Sequence, residues 1–255
     1  YATQRKLRDM GYDAELIDYL FYKNRKHKYT RGAEPWVRFP LKMRIKNYLL
    51  YRVIGPLLEV LGNRFSKVMR LRTYGFEEFH RVHSHTSPVY YSQKELYDAR
   101  MDYDVYMVGS DQVWNPNTAA SISPHFLEFA PKDAKKISYA SSFGVDKVPE
   151  SCVDKYRDGL NNLTFISCRE SQGVDIVKDL TGRDATHVLD PTLLLTGVEW
   201  REISKTNLCP VRGKYILIYN IVELEPIYQL ARRISKDTGW PILKLCKRAL
   251  FLKKY

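Results

Sequence analysis

The sequence has no apolar run close to the ~20 residues that a membrane-spanning helix requires, although 44% of its 255 residues are hydrophobic. It opens on YATQRK, which lacks the apolar core of a signal peptide. Its four cysteines are widely spaced and form no Cys-x-x-Cys pair, which argues against a structural zinc or a disulfide scaffold. These absences predict a globular protein of one large or two smaller domains in the reducing cytoplasm.

Acidic residues are scarce in one segment, residues 22–74, where 14 Lys and Arg stand against two acids. This segment therefore carries the whole net charge of +12, and the remainder of the chain is neutral with 27 residues of each sign. It shows no recognisable nucleic-acid-binding motif, so we expect no nucleic acid as a partner. Basic residues mixed with bulky apolar ones predict an amphipathic helical region in peripheral contact with the inner face of the membrane. Helices with a solvated basic face are the alternative.

Short apolar strands alternate with helices from residue 103 onward, which predicts an α/β protein whose parallel sheet is covered on both faces. The expected strands and helices of this part are strands 105–108, 136–144, 165–169 and 186–190 and helices 152–163 and 171–180. A second pattern follows as strand 215–219, helix 225–238 and strand 240–245. Upstream, we expect a helix over 2–10, a strand over 13–19 and a mostly helical region over 39–79.

The domain prediction follows from this alternation. Residues 1–196 are expected to form an N-terminal α/β lobe that includes the basic helical segment of about 22–74. The stretch 197–213, which contains Pro210 and Gly213, is interpreted as a linker. Residues 214–255 are expected to begin a C-terminal α/β lobe.

Polar clusters directly follow four of the predicted strands. Ligands of parallel sheets bind beyond the carboxyl ends of the strands, so these clusters are the candidates for chemistry. The clusters are GSDQVWNP at 109–116, YASSFG at 139–144, SCRES at 167–171 and LDPTLL at 189–194. In the first cluster we expect Gly109 to end a buried strand where the chain turns tightly, with an acid, two amides and a tryptophan after it.

In this order and spacing, the four clusters resemble the polysaccharide pyruvyl transferase family, in which GSDQxWNP, YAxSFG, xxREExG and DPTLLL recur. The resemblance covers about residues 1–200 well. It implies two Rossmann-like lobes like those of a B-type glycosyltransferase. It also implies transfer of a pyruvyl group from phosphoenolpyruvate to a sugar of a polysaccharide or its precursor, as a ketal and without a cofactor. The implied partners are phosphoenolpyruvate and a glycan or lipid-linked sugar acceptor.

Two parts of the family pattern are missing from this chain. One is the glycine-bearing loop after the family's first strand. The other is its Ser/Arg-x-His-Gly motif, since none of the six histidines here is followed by glycine. We therefore expect that the chain is truncated and that its second lobe is incomplete. A chain without the donor-binding half would be inactive by itself.

The first cluster is assigned to the acceptor. Asp111 is predicted to be the general base for a sugar hydroxyl or a ligand to it. Gln112 and Asn115 are its expected amide partners, and Trp114 offers a face for the sugar ring. The alternative is that Asp111 caps the next helix and Trp114 belongs to the core.

Later clusters are assigned to the donor. Arg169 is predicted to bind the phosphate or carboxylate of phosphoenolpyruvate, because a planar guanidinium suits such anions. Ser142 is predicted to offer its hydroxyl to the same anion. The alternatives are an ion pair of Arg169 with Glu170 or Asp190, and a tight turn that needs small residues around Ser142. Asp190 is expected to organise the turn at Pro191.

A metal is not predicted. His80, His83 and His85 follow a helical stretch, and no acid or cysteine nearby completes a site, so a surface helix end is the better interpretation.

Two other functions stay open. A sugar-nucleotide glycosyltransferase would share the two-lobed plan, since fold does not fix function. It should carry a diphosphate-binding glycine loop after a strand, and none is present here. A non-catalytic glycan-binding fragment that lacks the donor site is the other alternative.

Overall fold

The structure, a computed structural model, describes residues 1–19, 67–117, 122–204, 209, 211–220 and 224–245, with the backbone alone for 67–73. It is a mixed α/β protein with small parallel sheets. Among these residues the α-helices are α1 (Ala2–Asp9), α2 (Lys67–His83), α3 (Gln93–Asp98), α4 (Val153–Asn161), α5 (Ser171–Thr181), α6 (Gly197–Ile203) and α7 (Glu225–Thr238). The strands are β1 (Val105–Val108), β2 (Lys135–Ser138), β3 (Ser167–Cys168), β4 (Thr186–His187), β5 (Ile216–Tyr219) and β6 (Ile242–Leu245).

The predicted basic segment 22–74 and the predicted helical region 39–79 lie mostly outside the described residues. Helix α2 is the described part of that region. Within the described part of the chain, no helix has the length and apolar character needed to cross a membrane.

Strands β1 to β4 lie side by side in chain order. β1 pairs with β2 in parallel, from Val105↔Lys135 to Val108↔Ser138, and β3 pairs with β4 in parallel. Two parallel bridges, Ile137↔Phe165 and Ser141↔Cys168, connect β2 and its extension to the β3 segment. The carboxyl ends of the first three strands therefore meet at one edge, as a parallel arrangement requires.

Before β1, the predicted strand 13–19 is reduced to two parallel bridges, Leu16↔Thr86 and Tyr19↔Tyr90. The buried side chain of Gln4 ties α1 to both chain segments of this region, because its amide nitrogen donates to the carbonyls of Ala14 and His85.

Downstream, β5 and β6 pair in parallel from Ile216↔Ile242 to Tyr219↔Leu245, and α7 connects them. The helix expected at 225–238 has those bounds in the structure. The division into lobes at 1–196 and 214–255 stays a prediction.

The interior beneath β1 to β4 is strongly aromatic. Four rings, those of Trp114, Phe126, Phe143 and Tyr156, are at most 1% exposed and contact one another at centroid distances of 5.1 to 6.1 Å. Gly159 on α4 lies directly on the Phe126 ring, where an added Cβ would approach Cγ to 2.3 Å. Only a glycine lets this helix pack so closely against the ring.

The stretch predicted as a linker, 197–213, begins with helix α6. A capping box starts it: the Thr196 hydroxyl accepts from the Glu199 amide, and the Glu199 carboxylate accepts from the Thr196 amide. This reciprocal pair satisfies two amide groups that a helix N-terminus leaves without partners. The sequence signal for this helix is Thr-x-x-Glu at 196–199.

Candidate functional site

Three neighbouring chain segments form a row at the carboxyl ends of β1, β2 and β3. Parallel bridges connect Asp111 to Ser141 and Ser141 to Cys168. The Ser142 amide donates to the Asp111 carbonyl at 3.0 Å, and the Arg169 amide donates to the Ser141 carbonyl at 3.1 Å. Adjacent strands lie ~4.8 Å apart, so the backbones at Asp111 and Arg169 are separated by about 10 Å. A ligand of sugar-phosphate size spans such a distance.

Asp111 is exposed and has a left-handed backbone, with φ 76. Left-handed residues other than glycine carry strain of order 1–3 kcal/mol and concentrate at functional sites. One carboxylate oxygen, Oδ1, accepts from the Gln112 amide at 2.8 Å. Among the described helices, none begins at Asp111, so the helix-capping alternative does not describe its position.

Gly109 follows the end of β1 at Val108, as expected, but it is not the residue at which the chain turns. A Cβ added there would meet no atom within 4 Å, and its backbone is not left-handed. The chain turns instead at Asp111, where the left-handed conformation lies. The backbone distortion of this loop is therefore located at the predicted catalytic residue.

The two predicted acceptor amides contact each other beside Gly144. Asn115 Nδ2 donates to Gln112 Oε1 at 2.8 Å, and the backbone N–H of Asn115 donates to the backbone carbonyl of Gln112 at 3.1 Å. Gln112 is exposed and Asn115 is buried. Gln112 can present its amide to a ligand, whereas Asn115 in this structure shapes the loop.

Gly144→Ala is expected to disturb this amide pair. Gly144 has φ +61, and an added Cβ would lie 2.6 Å from Gln112 Cδ and 2.8 Å from Asn115 Nδ2. Overpacking of this kind typically costs ~1–3 kcal/mol, which urea denaturation measures. Gly182→Ala is the matched control, because Gly182 has a similar left-handed backbone, with φ +70, and its added Cβ would enter open space. Equal stability of the two variants would contradict the close approach at Gly144.

Trp114 is a correction to the predicted site. Its side chain is 0% exposed and lies between the rings of Phe126 and Phe143. The indole Nε1 donates to the His125 carbonyl at 3.0 Å. Because none of its surface is exposed, the ring offers no face to a sugar, and the alternative of a core tryptophan describes its position.

Ser142 is 1% exposed, and its hydroxyl makes no hydrogen bond with any described residue. Its backbone is fully engaged, since the amide donates to Asp111 and the carbonyl accepts from the Trp114 amide at 3.1 Å. By contrast, the neighbouring Ser141 hydroxyl donates to the Gly109 carbonyl at 3.1 Å. Buried polar atoms are almost always satisfied, so the Ser142 hydroxyl is the group in this row that lacks a partner within the described structure.

Arg169 makes two ion pairs, with Glu170 and with Asp190, which were named as the alternatives to donor binding. Nε donates to Glu170 Oε1 at 2.9 Å, and Nη1 donates to Asp190 Oδ2 at 3.2 Å. Burial works against the charged form, but the two carboxylates outweigh it and raise the pKa of Arg169. The side chain keeps 25% of its surface exposed. Arg169 is thus held in place and still reaches solvent.

Asp190 was expected to organise a turn, and its ion pair with Arg169 was named only as the alternative to donor binding; the structure contains both contacts. The turn is present: Asp190 Oδ1 accepts from the Thr192 amide at 2.9 Å. The contact with Arg169 agrees with the strand-end rule, because Asp190 follows β4 as Arg169 follows β3.

His80 and His83 lie in the last turn of α2. Among the described residues, no group of three or more His, Cys, Asp or Glu side chains is arranged to hold a metal ion.

These features define a class: a mixed α/β protein in which parallel strands end in a polar row of one carboxylate, buried serines and a fixed arginine. The chain belongs to the polysaccharide pyruvyl transferase family, whose family model matches residues 1–245. A search of curated proteins and a search of solved structures each gave no match.

Proposed function

We propose that this protein transfers the pyruvyl group of phosphoenolpyruvate to a sugar of a polysaccharide or its precursor, and that the product is a ketal. Membership of the family is the observation that carries the proposal. Phosphoenolpyruvate is the donor substrate, and the reaction requires no further cofactor. A two-lobed arrangement, with the strand-end row facing the second lobe, is part of the proposal.

The chemistry sets the requirements for the site. Two hydroxyls of the sugar form C–O bonds to C2 of the pyruvyl group, and the C–O bond to phosphate breaks. One hydroxyl proton is balanced by the proton that converts the methylene carbon into a methyl group, and the other leaves with phosphate. The site therefore needs a base near the sugar and cations or N–H donors near the phosphate and carboxylate.

We assign these needs to residues of the strand-end row. Asp111 is exposed at one end of the row and serves as the base for a sugar hydroxyl, with Gln112 beside it. Arg169 at the other end binds the anionic donor. The Ser142 hydroxyl between them has no partner among the described residues, and we assign it to the donor as well.

The decisive experiment incubates the purified protein with phosphoenolpyruvate and candidate glycans and follows phosphate release together with the mass of the glycan. A gain that corresponds to a pyruvate ketal supports the proposal. Nucleotide sugars in parallel reactions test the glycosyltransferase alternative. Glycan binding without binding of either donor in calorimetry would favour the non-catalytic fragment.

The basic segment 22–74 is proposed to hold the enzyme at the inner face of the membrane, near a lipid-linked acceptor. Its 14 basic residues against two acids would be drawn to anionic lipid. Sedimentation with anionic vesicles should exceed that with neutral vesicles at low salt and weaken at high salt, because surface charge is screened. Equal sedimentation with both kinds of vesicle would favour a solvated basic face.

A further inference from the structure

The Arg169 guanidinium lies between carboxylates from two parts of the chain. Glu170 is its sequence neighbour, whereas Asp190 is 21 residues away, in the loop after β4. The β4 loop therefore fixes the guanidinium from outside its own strand.

Asp190 uses its two oxygens for different contacts. Oδ1 accepts from both the amide and the hydroxyl of Thr192, at 2.9 and 2.7 Å, and this contact organises the turn. Oδ2 accepts from Arg169 Nη1 at 3.2 Å. Burial opposes the charge of this carboxylate, but the bonds from Thr192 and Arg169 outweigh burial and lower the pKa of Asp190. Asp190 is thus a charged group at neutral pH, with one oxygen committed to the turn and one to the arginine.

The contacts leave part of the guanidinium available. A guanidinium carries five N–H donors in a fixed plane. Two are directed at Glu170 and Asp190, and the other three make no hydrogen bond with the described residues. Because the plane is rigid, fixing two N–H groups also fixes the direction of the remaining three.

We propose that Asp190 is a positioning residue, which orients the Arg169 guanidinium so that its remaining N–H groups meet the carboxylate or phosphate of phosphoenolpyruvate. This inference rests on the proposed function. The two carboxylates beside Arg169 also repel an anionic donor. Orientation of the guanidinium therefore raises donor affinity, whereas this repulsion lowers it. Orientation dominates, since planar bidentate pairing of a guanidinium with an anion depends on geometry.

Two variants separate the arginine contact from the turn. Asp190→Asn keeps an oxygen for Thr192 but places an NH₂ group against Arg169 Nη1. Thr192→Val removes the hydroxyl contact with Asp190 and leaves the ion pair in place. We expect Asp190→Asn to raise the KM and the calorimetric Kd for phosphoenolpyruvate by ~10-fold or more, the effect of weakening a charge-assisted hydrogen bond, with kcat changed less than about threefold. Thr192→Val is expected to lower Tm without changing the KM or the Kd for phosphoenolpyruvate.

A double-mutant cycle with Arg169→Ala provides a second readout that a purely structural role would not produce. If Asp190 acts through Arg169, Asp190→Asn should have little effect on donor affinity once Arg169 is replaced. If Asp190→Asn does not fold, Asp190→Glu displaces the carboxylate by one methylene and should weaken donor binding to a smaller extent.

The outcomes are distinguishable. Unchanged donor affinity in Asp190→Asn, or in a folded Asp190→Glu that replaces it, overturns the inference if the wild-type protein binds phosphoenolpyruvate. Equal loss of affinity in Thr192→Val also overturns it, because the turn would then be the cause. A wild-type protein that neither binds phosphoenolpyruvate nor transfers from it overturns the proposed function, and this inference with it.

Discussion

The Asp111→Asn variant is expected to turn over ~10²–10⁴-fold more slowly than the wild type, the usual effect of losing a general base. Asparagine keeps the size of the side chain and an oxygen for the Gln112 amide, which donates to Asp111 Oδ1 at 2.8 Å. The strained loop should therefore keep its shape and lose only the base. Steady-state kinetics with phosphoenolpyruvate and a glycan acceptor measure kcat, and calorimetry measures donor affinity, which should not change.

The matched control is Asp98→Asn, which removes a carboxylate that is 62% exposed on α3 and pairs with Lys94. Its kcat should equal that of the wild type. By contrast with Asp111→Asn, Arg169→Ala should mainly weaken donor binding and affect kcat less. Unchanged turnover in Asp111→Asn would reduce Asp111 to a residue that shapes the loop after β1.

The Trp114→Ala variant is expected to lose ~3–5 kcal/mol of the free energy of unfolding, as buried aromatic truncations typically do. The indole contacts Phe126 and Phe143, and its nitrogen donates to the His125 carbonyl. The Trp114 carbonyl also accepts from the buried hydroxyl of Tyr156 at 2.8 Å. Urea denaturation gives the change in unfolding free energy.

Tyr12→Ala is the control for this loss, because Tyr12 is 61% exposed and surface substitutions usually change stability by less than about 0.5 kcal/mol. The same experiment decides between the two interpretations of Trp114. A Trp114→Ala protein of wild-type stability with a raised KM for the acceptor would restore the sugar-stacking role.

The sequence predicted most accurately those strands and helices for which several sequence features indicate the same element. Strand β1 is a short apolar run, and helix α7 has Pro226 in its first turn and left-handed Gly239 just after its end. Strand β2 was expected to reach residue 144 but ends at Ser138. The reason is the left-handed backbone of Ala140, with φ 56, which interrupts the regular ladder. Alanine carries no turn signal, so tertiary contacts must impose this conformation.

The candidate site was predictable in its outline and not in its details. The rule that parallel strands present ligand sites at their carboxyl ends brought Asp111, Ser142 and Arg169 together. The local sequence pattern does not say whether the Trp114 side chain is buried or exposed. That depends on packing against Phe126, which lies 12 residues further along the chain. The Arg169–Asp190 ion pair was one of the alternatives named from the sequence, and that it forms depends on β3 and β4 being neighbours.

Cys168, the bridge partner of Ser141 in the strand-end row, provides a native reporter of motion beneath the site. It is 0% exposed, and burial raises the pKa of its thiol to about 12. Alkylating reagents react with the thiolate, so Cys168 should be modified only when this part of the sheet opens. Exposed Cys209 should react at once, and mass spectrometry distinguishes the two sites. The rate at Cys168 then measures the local opening free energy of the segment that carries Arg169, and a ligand bound across the row should slow that rate.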